Sequence, residues 1–495
     1  MAYLILSPFL FPILMGVYLL IRKEMRERKN LLILTGAILV ITAALAILSV
    51  CLVSGQELVL FHMTQALPIV FRLDEMGVLF TLLTVLIFLC AGFFSFEYMK
   101  HEEKEKRYYG YYLITFGVLL ALCFAGNMIT FYLFFEMLTL FSMPLVLHNG
   151  SREAIMAGLK YLFYSLCGAY MALFGLYFVQ KYGVTLAFAG EHIGTELAKG
   201  QEGILLLSAF LMILGFSVKA GMFPLHAWLP AAHPVAPAPA SAVLSAMIAK
   251  GGVLGIIRVI YYLFDPAFLA GTWVQYAFMA LTLITVFMGS MLAYREPVIK
   301  KRFAYSTVSQ ISYVLFGLSV MNITSATGGV LHVICHGIIK TVLFLCAGAI
   351  IYQTGKTRVE ELKGIGKEMP LLMWCFTIVS LGLIGIPPTG GFISKWYLAL
   401  GALGMGDGIV RPAAAYLGIA ILLISALLTA GYLLPIIIRG FFPGADYDYV
   451  SLKKKEPGKL MIFPILILTV LSVLIGLFPN PITAFIRNAI HGIFV

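Results

Sequence analysis

Apolar positions in this chain come in long unbroken runs, without the alternating polar faces of soluble helices and strands. Runs of 18 residues or more fall near 2–21, 31–53, 74–97, 109–126, 128–147, 154–180, 204–229, 237–264, 272–293, 303–320, 328–352, 371–399, 413–438 and 460–479. At about 1.5 Å of rise per residue, each can cross a hydrocarbon layer of roughly 30 Å as an α-helix. The pattern predicts an all-α polytopic membrane protein with about 14 transmembrane helices. The longest links, 54–73, 181–203 and 439–459, are too short for a catalytic module, so 1–495 reads as a single transmembrane bundle. The first run has no basic segment before it and reads as a retained span, not a cleaved signal.

Two of the runs are interrupted. KAGMFP (219–224) breaks one, and IPPTGGFISKW (386–396) breaks another. Such breaks free backbone groups, which is tolerated at membrane depth only where the backbone meets protein or water. Two interrupted spans, each with a lysine nearby, in the two halves of one bundle point to broken helices around a central site. The candidate repeats are 109–264, broken near 219–230, and 272–438, broken near 385–396.

Composition removes the soluble alternative. The chain is 61% apolar and only 12% charged, with a mean hydropathy of +0.98. That leaves too little charge to cover a soluble domain of this size. The net charge of +11 raises the question of nucleic acid, but the basic residues sit in short links, as in RKEMRERK (22–29) and IKKRF (299–303). With both termini outside, inside links hold 23 of the 34 Lys and Arg, outside segments hold five, and six lie within spans. This is the positive-inside distribution of a multi-pass protein of the cell (cytoplasmic, inner) membrane, and no nucleic-acid partner is expected. The seven cysteines are scattered with no CxxC, so neither an iron–sulfur cluster, structural zinc nor a disulfide framework is expected.

The chemistry-bearing candidates are ionisable residues far inside spans. Glu136, in LFFEMLTLF, stands near the middle of its run, and Lys219, Lys250 and Lys340 sit at comparable depth in theirs. Such residues pack helices as charge pairs or carry ions, and the second is the default for charges at the bilayer centre. Low dielectric disfavours the charged form of either side chain, which brings both toward proton exchange. A Glu136–Lys219 pair would then control the lysine's proton affinity by opening and closing. In HVICHGIIK, His332, His336 and Lys340 follow i, i+4, i+8 spacing, a stripe about 6 Å apart per step that water can bridge. Two histidines alone make a poor metal site, and no acid or cysteine completes the set, so no metal is expected. His226 and His233 flank a proline-rich break, HAWLPAAHPVAPAP, and are secondary candidates with Lys160 and Tyr161; a snorkelling lysine explains Lys160 nearly as well.

Negative findings narrow the chemistry. QTGKT (353–357) has Ile350 where a phosphate loop needs its first glycine, and GIG (364–366) lacks the rest of a dinucleotide fingerprint. No cofactor is expected in this chain, and any redox step belongs to a partner.

These residues resemble a known family: the antiporter-like, proton-translocating membrane subunits of respiratory complex I, energy-converting membrane hydrogenases, formate hydrogenlyases and Mrp-type sodium/proton antiporters. The resemblance is carried by FFEML, KAGMFPLHAWLPAAHPVAPAPASAVLSAMIAKGG, YSTVSQISY (305–313), HVICHGIIKTVLFLCAG and GIPPTGGFISKW, over roughly 74–440. It implies fourteen helices with two inverted five-helix repeats, and a hydrated axis through Glu136, Lys219, Lys250 and Lys395. It also implies work beside related antiporter-like subunits in a lipid membrane, with protons, or sodium, as the ion moved and a peripheral redox arm in some complexes. The histidine stripe is similar to the distal complex I antiporter-like subunit, without its lateral helix; Lys395 and the overall length are also similar to the D component of Mrp antiporters. The expected function is a proton-translocating subunit of a redox-driven complex, with an Mrp antiporter component, a non-conducting scaffold and a stand-alone solute transporter as rivals.

Overall fold

The computed structural model describes residues 2–494 except 24–26, 66, 183–184, 189–192, 194–197, 405–411, 445–446 and 450–451. Parts of the basic cluster 22–29 and of the links 181–203, 400–412 and 439–459 lie outside the described residues. The first half comprises α1 (Ser7–Ile21), α2 (Arg28–Val53), a hairpin of β1 (Glu57–Thr64) and β2 (Leu67–Arg72), α3 (Glu75–Tyr98), α4 (Glu105–Cys123), α5 (Met128–Val146), α6 (Arg152–Tyr182), α7 (Glu202–Ala220), α8 (Leu229–Val235) and α9 (Ala238–Leu263). The second half comprises α10 (Trp273–Arg295), α11 (Ile299–Ser319), α12 (Ile323–Thr354), α13 (Pro370–Ile384), α14 (Gly390–Ala402), α15 (Pro412–Phe441), α16 (Lys459–Leu477) and α17 (Asn480–Phe494).

Every predicted run is helical at its predicted place. Among the described residues, eleven helices are long and apolar enough to cross a membrane. The other three runs, represented by α4, α11 and the α13–α14 pair, fall short of that measure, so the count of fourteen is not established by it. Two elements escaped the hydrophobic pattern. The antiparallel hairpin pairs Glu57 with Arg72 inside what reads as a polar link, and α17 follows the last span.

Burial separates centre from flank. The most apolar window of α9 is entirely buried and that of α12 is 89% buried, against 39% for α6. The axis of the bundle therefore runs through α9, α11 and α12, while α6 offers a long apolar face outward.

Both predicted breaks are present, and a glycine makes each one. α7 ends at Gly221 (φ 81°), whose N–H donates to Val218 O while the N–H of Met222 donates to Ser217 O. α13 ends at Gly385 (φ 94°), where Gly385 N and Ile386 N both donate to Leu381 O. A left-handed residue costs glycine nothing and reverses the chain at a helix end. The prolines that follow prevent the helix from resuming at once.

Candidate functional site: a buried lysine–histidine line

Lys219, Lys250 and Lys340 are buried in the bundle, and Lys395 is partly buried beside them. Among the described residues, every ion pair lies elsewhere, so none of the four touches a carboxylate. Each ammonium is held by backbone carbonyls, and in Lys219 and Lys340 by a hydroxyl as well.

Lys219, in the last turn of α7, donates to Phe135 O at 3.0 Å and Thr139 Oγ1 at 2.7 Å, and sits 4.2 Å from the Phe135 ring centroid. Phe135 and Thr139 share a face of α5 at i, i+4, whereas Glu136 is turned about 100° away from Phe135. The anticipated Glu136–Lys219 pair is therefore open: the two remain electrostatic neighbours, and Glu136 Oε1 is buried with no hydrogen-bond partner. Tyr161 belongs to the same neighbourhood. Its hydroxyl bonds Ser142 Oγ at 2.8 Å, and its ring stacks on Trp228, whose indole N–H donates to Val218 O.

Lys250 follows a π turn, Leu244–Ile248, and donates back to Ala246 O at 2.7 Å and Ser245 O at 3.3 Å. A π turn displaces carbonyls from the regular ladder, so it supplies acceptors for a lysine with no other hydrogen bond among the described residues. Ser245 Oγ bonds Thr307 Oγ1 at 2.7 Å, which ties this turn to α11.

Lys340 donates to Phe303 O at 3.1 Å and Ser306 Oγ at 2.6 Å, and Ser306 bonds the Tyr432 hydroxyl at 2.6 Å. Lys395, on α14, folds back across the break to Leu383 O at 2.7 Å and Ile384 O at 2.9 Å. Those are terminal carbonyls of α13, which have no intrahelical partner and favour a cation. The ammonium also lies 5.0 Å from the Tyr313 ring centroid.

The histidine stripe joins these anchors. His332 Nδ1 meets Ser394 Oγ at 2.8 Å and Nε2 meets Gln310 Oε1 at 3.2 Å, so α12 is linked to the broken segment and to α11. His336 lies next along α12, its ring centroid 6.0 Å from that of His332. It is fully buried, and neither ring nitrogen has a hydrogen-bond partner. Lys250, Lys340 and Lys395 all lie within electrostatic range of it.

The secondary candidates divide. His233 is fully buried against Phe344 at 4.7 Å with both ring nitrogens unpartnered, and His226 is half-buried. Lys160 is exposed on the outer flank of α6, away from the line. Sequence reasoning assigned no role to Thr139, Ser306, Gln310, Ser394 or Tyr432. Of the five, Gln310 alone stood out, as an amide in YSTVSQISY on a helix that proves buried. Among the described residues no cluster of three His, Cys, Asp or Glu side chains is placed to hold a metal.

Fold and site together define a polytopic helical membrane protein with carboxylate-free lysines and histidines along its core. A family model described as "NADH:quinone oxidoreductase/Mrp antiporter, TM" matches residues 125–413, and one described as "NADH-Ubiquinone oxidoreductase (complex I), chain 5 N-terminus" matches 62–109. NADH-quinone oxidoreductase subunit N of Desulforudis audaxviator is 31% identical over 392 residues, 77% of this chain and 76% of that protein. An Na(+)/H(+) antiporter subunit of Bacillus subtilis is 28% identical over 495 residues, 98% and 96% of the two chains. A chain of the Mrp complex from Dietzia sp. has the same fold, with a TM-score of 0.84, 23% identity, and coverage of 99% of this chain and 98% of that one. The protein belongs to the NADH:quinone oxidoreductase/Mrp antiporter transmembrane family.

Proposed function

We propose that this chain is a proton-translocating, antiporter-like subunit of a multisubunit ion-pumping membrane complex. The observation that carries the reading is His336: a fully buried imidazole with both nitrogens open, within electrostatic range of three lysines that form no ion pair among the described residues. A packing device would pair such charges, because an unmatched buried ion is costly. A relay needs them unmatched, with water as the exchanging partner.

In the relay, protons pass between Lys219, Lys250, His336, Lys340 and Lys395, with Glu136 biasing Lys219. His332 couples the stripe to the break. When neutral, it donates Nε2–H to Gln310 Oε1 and accepts the Ser394 hydroxyl at Nδ1. When protonated, Nδ1 donates, and the Ser394 hydroxyl turns to Gly391 O at 3.0 Å. The two broken helices belong to repeats 109–264 and 272–438. The proposed setting is the cell membrane with both termini outside, beside related subunits.

The drive we favour is redox, as in a complex I-like or energy-converting hydrogenase-type assembly. Full-length similarity to a sodium/proton antiporter component supports the second reading, in which this chain serves an Mrp-type antiporter. Copurifying subunits distinguish the two: iron–sulfur or hydrogenase-like partners favour the first, small antiporter subunits the second. The test of translocation itself is Lys219→Ala and Lys395→Ala in the reconstituted complex. Loss of coupled pumping in both is expected; full pumping in both, with normal assembly, would sink the reading.

A further inference from the structure

Lys160, a secondary candidate from the sequence, has no part in the relay. It lies on the rim of an outward-facing groove of about 620 Å³ between α6, α8 and the start of α11. The groove has an apolar wall that includes Phe163, Pro230 and Val235, with Glu153, Lys160 and Lys301 as its charged lining. The Lys301 ammonium is already paired with Glu296 at 2.9 Å. What remains is one cation, Lys160, and one anion, Glu153, neither in an ion pair among the described residues.

Both sit on α6 at i, i+7, so they share a face about 10.5 Å apart along the axis. α6 begins at Arg152, which puts the Lys160 Cα about 12 Å into the helix, below headgroup level. Long helical side chains lean toward the N-terminus, so the ammonium reaches back toward Glu153 and the membrane surface. Snorkelling alone explains the lysine's reach. It does not explain an apolar groove along it with a glutamate two turns away on the same lining.

We propose that this groove seats an aminophospholipid from the leaflet on this face, with its phosphate on Lys160, its primary ammonium on Glu153 and an acyl chain along Phe163 and Val235. The headgroup's two charges match the two free charges on the rim. An anionic lipid would meet the Glu153 carboxylate, and a protein segment would need to bring a matched charge pair to this depth. The lipid would rest on α8, the short segment that follows the Lys219 break, and so brace that segment from the outside.

The test uses the full chain, in the complex with which it is extracted, in nanodiscs of phosphatidylethanolamine, phosphatidylglycerol or phosphatidylcholine, with retained lipid counted by native mass spectrometry. Phosphatidylethanolamine should be retained over both others. Lys160→Ala and Glu153→Gln should each lower its retention by about fivefold, while Lys363→Ala, at an exposed site elsewhere, should not. Equal retention in Lys160→Ala and the unmodified chain overturns the proposal. So does preference for phosphatidylglycerol that rises in Glu153→Gln, which would mark an anionic-lipid site. Crosslinking from position 163 to a protein chain in place of lipid also overturns it.

Discussion

The four lysines of the line fall into two geometries, and the division does not follow the halves of the chain. Lys219 and Lys340 each take a carbonyl, a hydroxyl and the ring of the residue that owns the carbonyl: Phe135 with Thr139, and Phe303 with Ser306. Lys250 and Lys395 take two consecutive carbonyls and no hydroxyl, Ser245–Ala246 and Leu383–Ile384. A hydroxyl both accepts and donates, so it can hand a proton onward; a carbonyl only accepts. Under the proposed relay, the first pair opens into hydroxyl chains, toward Tyr432 in one case. The second pair can lose a proton only to water or to the His336 side. One geometry suits onward transfer, and the other suits holding.

The strongest way to break this comparison is to keep charge and remove exchange. Arginine remains protonated at any accessible pH. Lys250→Arg is expected to lower proton translocation about 100-fold, within the range that general acid–base groups contribute, and as severely as Lys250→Met. Pumping by the arginine variant in reconstituted vesicles would show that a fixed charge is enough, and the holding role would fail.

A second contrast sets these lysines against a buried charge that does have a carboxylate. Arg258 on α9 forms a two-pronged ion pair with Asp74, with the Phe188 and Tyr262 rings 4.4 and 4.3 Å from its guanidinium carbon. Removing one partner of a buried pair costs about 3–5 kcal/mol. Asp74→Asn should therefore cut the thermal stability and yield of the assembled protein while leaving translocation per assembled complex intact. A stable variant that fails to pump would move this pair from scaffold to relay.

How far the site was legible follows the same line. Lysines and histidines stand out in apolar runs because their cost there is large, so Glu136, Lys219, Lys250, His332, His336 and Lys340 were visible as residues. Their partners were not. Serine and threonine are cheap in a membrane helix, since each can bond its own i−4 carbonyl, as Ser142 and Thr307 do. Thr139 and Ser306 therefore carry no signal until the fold aims a lysine at them. The breaks were legible from glycine and proline, but that Lys395 caps α13 depends on the chain doubling back at Gly385. The hairpin escaped because its exposed strand carries apolar Val59, Leu60 and Phe61 beside polar residues, with too little length to compete with the spans around it.

Smaller effects separate the two lysine geometries directly. Ser306→Ala and Thr139→Val each remove a hydroxyl from a buried ammonium, at a cost of about 1–3 kcal/mol. Translocation should slow by about tenfold in both, with assembly retained. Lys250 and Lys395 have no hydroxyl to lose, and Ser245→Ala, which leaves the Ser245 carbonyl in place, should slow the step less. Equal slowing in all three would erase the distinction between onward transfer and holding.

The smallest effect concerns a histidine at the edge of the bundle. His148 follows α5 and is buried against Tyr108, with the Glu103 backbone near its ring and neither nitrogen in a close hydrogen bond. Burial, with Arg107 and Lys104 nearby, pushes this imidazole down to about 4, against an ordinary value of about 6.5. Between those values the unfolded chain binds a proton that the folded chain refuses, so stability is held above pH 6.5 and falls as pH drops toward 4. His148→Gln should remove that share of the acid sensitivity. Its melting temperature should decline less than that of the unmodified protein between pH 7 and pH 4.5, with pumping at neutral pH unchanged. Parallel declines would mean that His148 is already charged in the folded state, and that an open imidazole in this protein marks reach to water wherever it occurs.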